Sequence, residues 1–148
     1  MIAPILRVLH VEDEPNKARA VGRIARIAAT LLGVELALVH VGSVAEAYSV
    51  GGGASSRFDA VISDWCLPLS KGEGPSGRGG VAVVAWAVLR GLPVAVISGS
   101  DRPDVFPTSA ACRWIDAGEW RDGLDWLFRV ALHNAIREAE RTNQCGSY

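Results

Sequence analysis

Lysine is nearly absent from this chain: of 148 residues only Lys17 and Lys71 carry an ammonium group, and arginine supplies the other cations. No segment holds a block of like charge and the formal net charge is −1. A general attraction for nucleic acid or anionic lipid is therefore excluded, and neither is expected as a direct partner. Cysteine is scarce too. Cys66, Cys112 and Cys145 are odd in number, widely spaced and free of any CxxC pattern. That excludes a disulfide framework and a zinc site, and reduced thiols in the cytoplasm are the expectation. Long apolar runs are also missing, so no segment is expected to span a bilayer, and the N-terminus reaches the first strand with no cleavable signal.

What remains suits one compact unit. Nearly half of the residues, 49%, are apolar, and a chain of this length can bury roughly 70% of its unfolded surface in a single core. Strand and helix patterns alternate. RVLHV (7–11) reads as a strand, followed by apolar residues at helical spacing (Val21, Ile24, Ala25, Ala28, Leu31, Leu32) that stop at Gly33. VELALVHV (34–41) is a second strand. Ser43 and Glu46 form a capping box for a short helix that ends at Gly51, Gly52 and Gly53. DAVIS (59–63), PVAVIS (93–98) and CRWI (112–115) are three more strands, with VAVVAWAVL (81–89) as an apolar helix between the first two. From about Glu119 to Glu140 the spacing of Trp120, Leu124, Leu127, Phe128, Ala131 and Ala135 predicts a long amphipathic helix. These elements imply an α/β fold: a doubly wound, five-stranded parallel sheet with helices on both faces. Residues 1–141 should form the domain, with 142–148 as a flexible tail.

The chemistry lies at strand ends. Asp64 closes the third strand, and the residues after it, WCLP, force a loop; Glu12 and Asp13 close the first strand just before Pro15. Open α/β sheets bind ligands at the carboxyl ends of their strands, so three carboxylates can converge there. Ser98 ends the fourth strand. The segment GEGPSG (72–77) matches the dinucleotide fingerprint literally but lies well past the third strand, beside Asp64, whose charge opposes a pyrophosphate. Neither Ser98 nor Ser100 has the GxSxG frame of a hydrolase elbow. His10 and His40 sit inside strands and read as structural.

VEDEP, DWCLP and VISGS, in this order on this fold, resemble the receiver domains of two-component response regulators over nearly the whole chain. The resemblance implies a flavodoxin-like receiver fold and Mg²⁺ held by Glu12, Asp13, Asp64 and the backbone carbonyl of Cys66. It makes Asp64 the phosphoacceptor, Ser98 the hydroxyl that binds the phosphoryl group, and Trp114 the aromatic switch position. It implies a histidine kinase or histidine phosphotransfer protein as donor, with the first helix helping to dock it; the basic face of Lys17, Arg19, Arg23 and Arg26 would steer an acidic partner, or simply be solvated. Output would pass to a downstream protein or a homodimer, and no output domain follows in the sequence. Trp126, Val130, His133 and Arg137 form a second face of the last helix that suits such a contact.

One expected part is missing. Receivers place a lysine after the fifth strand, whereas this chain reads WIDAGEW, with Asp116 or Ala117 at that position and Gly118 in place of the following proline. Either the site is degenerate or another cation stands in: the segment PLSKGEGPSGRGG (68–80) is longer than the usual family loop, and Lys71, Arg78 or Arg102 is the candidate substitute cation. The resemblance thus implies a stand-alone phosphoacceptor signalling domain rather than an enzyme. The alternatives are a pseudo-receiver that binds a protein without phosphate, and a Mg²⁺-dependent phosphohydrolase using the same Asp64.

Overall fold

The computed structural model describes residues 2–52, 57–104, 106–107 and 109–146. The chain runs β1 (Ile5–Val11), α1 (Pro15–Leu32), β2 (Glu35–Val41), α2 (Val44–Gly51), β3 (Ala60–Ser63), α3 (Gly77–Leu89), β4 (Val94–Ile97), β5 (Cys112–Ile115) and α4 (Trp120–Cys145). All strands pair in parallel in the order β2-β1-β3-β4-β5. The connection from β1 goes outward to β2 and then returns across β1 to β3. The sheet therefore has its switch point between β1 and β3, where the carboxyl ends open a crevice.

Strand alternation sorts the core into two layers. Leu6, Val8, Ile62, Ala95 and Ile97 face one side, under Val21, Ala25 and Ala28 of α1 and Leu124, Leu127 and Phe128 of α4. Leu9, Val11, Val61, Val94 and Val96 face the other, under Val44 and Ala47 of α2 and Val83, Val84 and Ala87 of α3. Helix α1 starts where the Glu14 carboxylate accepts the backbone N–H groups of Asn16 and Lys17, with Pro15 in the first turn; it ends at Gly33, whose φ of 71° is left-handed. Leu31, expected on its apolar stripe, is exposed instead.

Three expectations need correction. Helix α3 begins at Gly77, inside the segment expected to be loop. Glycine is a poor helix former, but a Cβ at Gly79 would lie 2.2 Å from the Leu67 carbonyl oxygen and one at Gly80 2.2 Å from that of Trp65. Only glycine lets this helix lie directly on the β3–α3 loop. The rest of that loop folds back on itself, with Leu67 N–H donating to Ser76 O (3.0 Å) and Ser76 N–H to Leu67 O (3.1 Å). Helix α4 continues through Cys145, into the segment expected to be a flexible tail. Trp126 is not a free patch: it packs against the α1/α4 core layer, and the Arg113 guanidinium of β5 lies 4.4 Å above its ring. The described residues between β4 and β5, which include most of the short, proline-rich DRPDVFP (101–107), form no helix; Gly53, the last of the expected α2 stop residues, lies outside the described residues.

Candidate functional site at the β1/β3 switch point

Glu12 and Asp64 arrive side by side because β1 and β3 are neighbours in register, Val11 opposite Ser63. The Asp64 N–H donates to Val11 O (3.0 Å) and the Glu12 N–H to Val41 O (3.0 Å), so both backbones extend the sheet ladder by one residue. Carboxylate oxygens of Glu12, Asp13 and Asp64 lie within 4.8 Å of one another. Glu12 is buried, Asp64 half-buried and Asp13 exposed. An all-oxygen set of this size fits a hard cation such as Mg²⁺, which keeps several waters beside one or two carboxylates. Cys66, whose carbonyl was expected to contribute, is half-buried two residues past Asp64, and its thiol is free.

The electrostatics are those of crowded acids. Burial, with the Asp64 charge adding to it, pushes the Glu12 carboxyl up to about 7, against the pull of Lys17. Its Oε2 accepts the Glu14 N–H at 3.3 Å. Asp64 Oδ1 accepts the Trp65 N–H at 2.7 Å, which fixes the carboxylate plane. Behind Glu12, its backbone carbonyl meets His40 Nε2 at 2.7 Å. His10, next to His40 with ring centres 5.4 Å apart, is buried and its Nδ1 has no hydrogen-bond partner. Burial first, then the neighbouring His40 and Lys17, lower its pKa to about 3, so the ring is neutral.

A cation does reach the acid cluster, and it is none of the three that were expected to. Lys17, expected on the solvated face of α1, has its Nζ 3.0 Å from Glu12 Oε1, 3.3 Å from Asp64 Oδ1 and 2.8 Å from the Ile97 carbonyl oxygen. Lys71, Arg78 and Arg102 make no ion pair with the cluster. All three are exposed. Arg102 instead lies 5.5 Å from the centre of the Phe106 ring. Asp116 and Ala117 are exposed past the end of β5 and bring no charge into the site. One signal pointed to Lys17: a cation in the first turn of a helix works against the helix dipole and needs a local reason.

Ser98 lies at the β4 edge of the site, buried, with its hydroxyl 2.9 Å from that of Ser100. Trp114 is half-buried and belongs to a cluster of three rings with Trp65 and Phe106, all edge to face at 5.3 to 5.8 Å. Trp65 and Phe106 were not singled out from the sequence. For Trp65 the position directly after Asp64 was the available signal.

No family model matches the sequence, and no curated protein matches it. Solved structures do. A response regulator receiver domain protein from Clostridium thermocellum superposes with a TM-score of 0.62 at 11% identity, covering 88% of this chain and 98% of the other. One from Bacillus halodurans gives 0.55 at 17% identity, over 83% and 96%. A two-component response regulator from Legionella pneumophila gives 0.55 at 14% identity, over 86% and 98%. At such identities the likeness concerns the fold: this chain has the fold of response regulator receiver domains. Among the described residues no helix is long and apolar enough to cross a membrane.

Proposed function

We propose that the chain works as a response regulator receiver, in which Asp64 accepts a phosphoryl group from the phosphohistidine of a histidine kinase or histidine phosphotransfer protein. The observation that carries this reading is the meeting of Glu12, Asp13 and Asp64 at the switch point, with Oδ1 of Asp64 held by the Trp65 N–H. In the transfer, Oδ2 of Asp64 attacks phosphorus as the P–N bond to the donor imidazole breaks. The electron pair of that bond returns to the ring nitrogen, and an acyl phosphate is left on Asp64. Glu12, Asp13 and Asp64, with the Cys66 carbonyl, would hold Mg²⁺. When bound, the ion supplies positive charge against the repulsion between carboxylate and phosphoryl oxygens.

Ser98 would turn its hydroxyl from Ser100 to a phosphoryl oxygen, and the move would be felt through the loop toward Phe106 and Trp114. The free cysteines suit a cytoplasmic protein, and the output is a change in a protein-binding surface. Intact-mass analysis after incubation with acetyl phosphate and Mg²⁺ tests the reading. Wild type should gain the mass of one phosphoryl group and Asp64→Asn should not; an adduct in both, or in neither, would refute it.

A second reading, the pseudo-receiver, is favoured by one observation: the Ser98 hydroxyl is already paired with Ser100. It requires no adduct and a partner bound equally well by Asp64→Asn. The phosphohydrolase reading is weaker, because the acid cluster holds no fourth carboxylate among the described residues to serve as general acid. Turnover without a lasting adduct would support it.

A further inference from the structure

We infer that Lys17 is the phosphoryl-pairing cation of this site, so that the charge receivers place after the last strand comes here from the first turn of α1. The inference rests on the phosphoacceptor reading of Asp64.

The geometry is that of a built contact. One ammonium touches the ends of three strands: Glu12 after β1, Asp64 after β3, and the carbonyl of Ile97, the last residue of β4. Its three donors are matched by three acceptors, and the side chain is 17% exposed. A lysine stem on a helix surface normally keeps its charged end in water, so this one has a specific reason to turn inward. The backbone is set for it as well. The Glu14 carboxylate holds the Lys17 N–H at 3.0 Å, and Pro15 fixes the first turn, which aims the stem across the crevice. No other cation among the described residues pairs with the acid cluster.

Position also defines the role. The Ile97 carbonyl that accepts Lys17 immediately precedes Ser98, so the ammonium lies between Asp64 and the hydroxyl side of the site, where a phosphoryl oxygen on Asp64 would be within its reach. Lys17 keeps all its protons: it donates hydrogen bonds and takes no covalent part. Because the same ammonium is paired with Glu12, it also opposes a divalent ion at the acid cluster. Two consequences of opposite sign follow for a neutral replacement. Wherever Glu12 is ionised, metal binds more tightly, since a repelling cation is gone, while the phosphoryl group is taken up more slowly. A lysine that only braced the fold would move both in the same direction.

The experiment compares wild type with Lys17→Met, which keeps the aliphatic stem, and with Lys17→Ala as a second variant, both checked by circular dichroism. Adduct formation from acetyl phosphate is followed by intact mass, and Mg²⁺ affinity by tryptophan fluorescence, both at a pH well above 7 so that Glu12 is ionised in every protein compared. The expected result is at least a tenfold slower adduct together with a severalfold tighter Mg²⁺. A variant that forms adduct at the wild-type rate, or whose Mg²⁺ affinity falls with its adduct rate, overturns the inference and leaves the phosphoacceptor reading standing. Absence of any adduct in wild type overturns both. Should neither variant fold, the ammonium ¹⁵N resonances of the intact protein decide it. The chain has only two lysines, so the signal that remains in Lys71→Arg belongs to Lys17; beryllofluoride added to the Mg²⁺-loaded protein should shift it, and an unmoved signal in protein shown by ¹⁹F NMR to hold beryllofluoride overturns the inference.

Discussion

Trp114 of β5 meets Trp65 edge to face, with ring centres 5.8 Å apart and planes at 63°. Trp65 follows Asp64 directly, and its N–H donates to Asp64 Oδ1. The indole beside the acid cluster is thus in contact with the last strand through a single ring pair, and Phe106 closes the triangle. Mg²⁺ should change the tryptophan emission, and Trp65→Phe should remove most of that change while Trp86→Phe leaves it. Trp114→Ala should cost about 3 kcal/mol in urea unfolding, near the low end for a large aromatic because the ring is half-buried.

Gly80→Ala sets two effects against each other. Alanine gains up to about 1 kcal/mol of helix propensity, but its Cβ would fall 2.2 Å from the Trp65 carbonyl oxygen, a backbone atom that cannot swing aside. Forced shifts of this kind cost about 1–3 kcal/mol or more, so net destabilisation is expected. Moving Trp65 also moves Asp64, so Mg²⁺ affinity should fall with stability. Gly74→Ala is the control, since nothing lies within 4 Å of its added Cβ and its φ is not positive; both quantities should stay at wild-type values.

Two buried groups give stability opposite slopes with pH. Glu12 is raised from 4.5 to about 7, so between those values the folded chain holds more protons than the unfolded one, and stability falls as pH rises, by about 3 kcal/mol at most. His10 is lowered from 6.5 to about 3; the unfolded chain holds more protons there, and stability rises with pH up to about 6.5. From about 4.5 to 6.5 the two oppose each other. Wild type should therefore be nearly flat in that window by urea unfolding. Glu12→Gln should become steadily more stable as pH rises through it, and His10→Asn steadily less. Parallel slopes in the two variants would contradict this account.

Trp126→Ser tests whether this ring belongs to the core or to a docking surface. With its ring packed on the core and covered by Arg113, the substitution should destabilise the monomer by about 2 kcal/mol or more, through lost packing and a lost cation–π contact of roughly 0.5–1 kcal/mol. Sedimentation should show no change in association state. Loss of a dimer with unchanged stability would restore the reading of Trp126 as a docking residue.

The strands were legible because short apolar runs bounded by turn residues leave few alternatives, and the strand-end acids Glu12, Asp13 and Asp64 follow from them. Lys17 was not, for a physical reason. Helical periodicity separates an apolar stripe from a polar face and treats the polar face as solvent, but the first turn of α1 rises from the carboxyl edge of the sheet. A residue off the stripe there points over the strand ends. Long-range return of the loop through Leu67 and Ser76, and the fit of Gly79 and Gly80 against it, depend on tertiary contacts that glycine-rich composition hides. Phe106 was obscured in the same way, inside a segment read only as too short for a helix.

The backbone N–H groups of Val44 and Ala45, at the start of α2, donate to the carbonyl oxygens of Pro68 and Leu69 at 3.1 and 2.9 Å. Those acceptors lie beyond β3 in the chain, so the first turn of α2 is completed by residues synthesised after it. The two amides can therefore gain these partners only once the loop after Asp64 has taken its shape. Hydrogen exchange during refolding should protect Val44 and Ala45 no earlier than Leu67 and Ser76, making the amides of a structural helix a clock for assembly of the acid site.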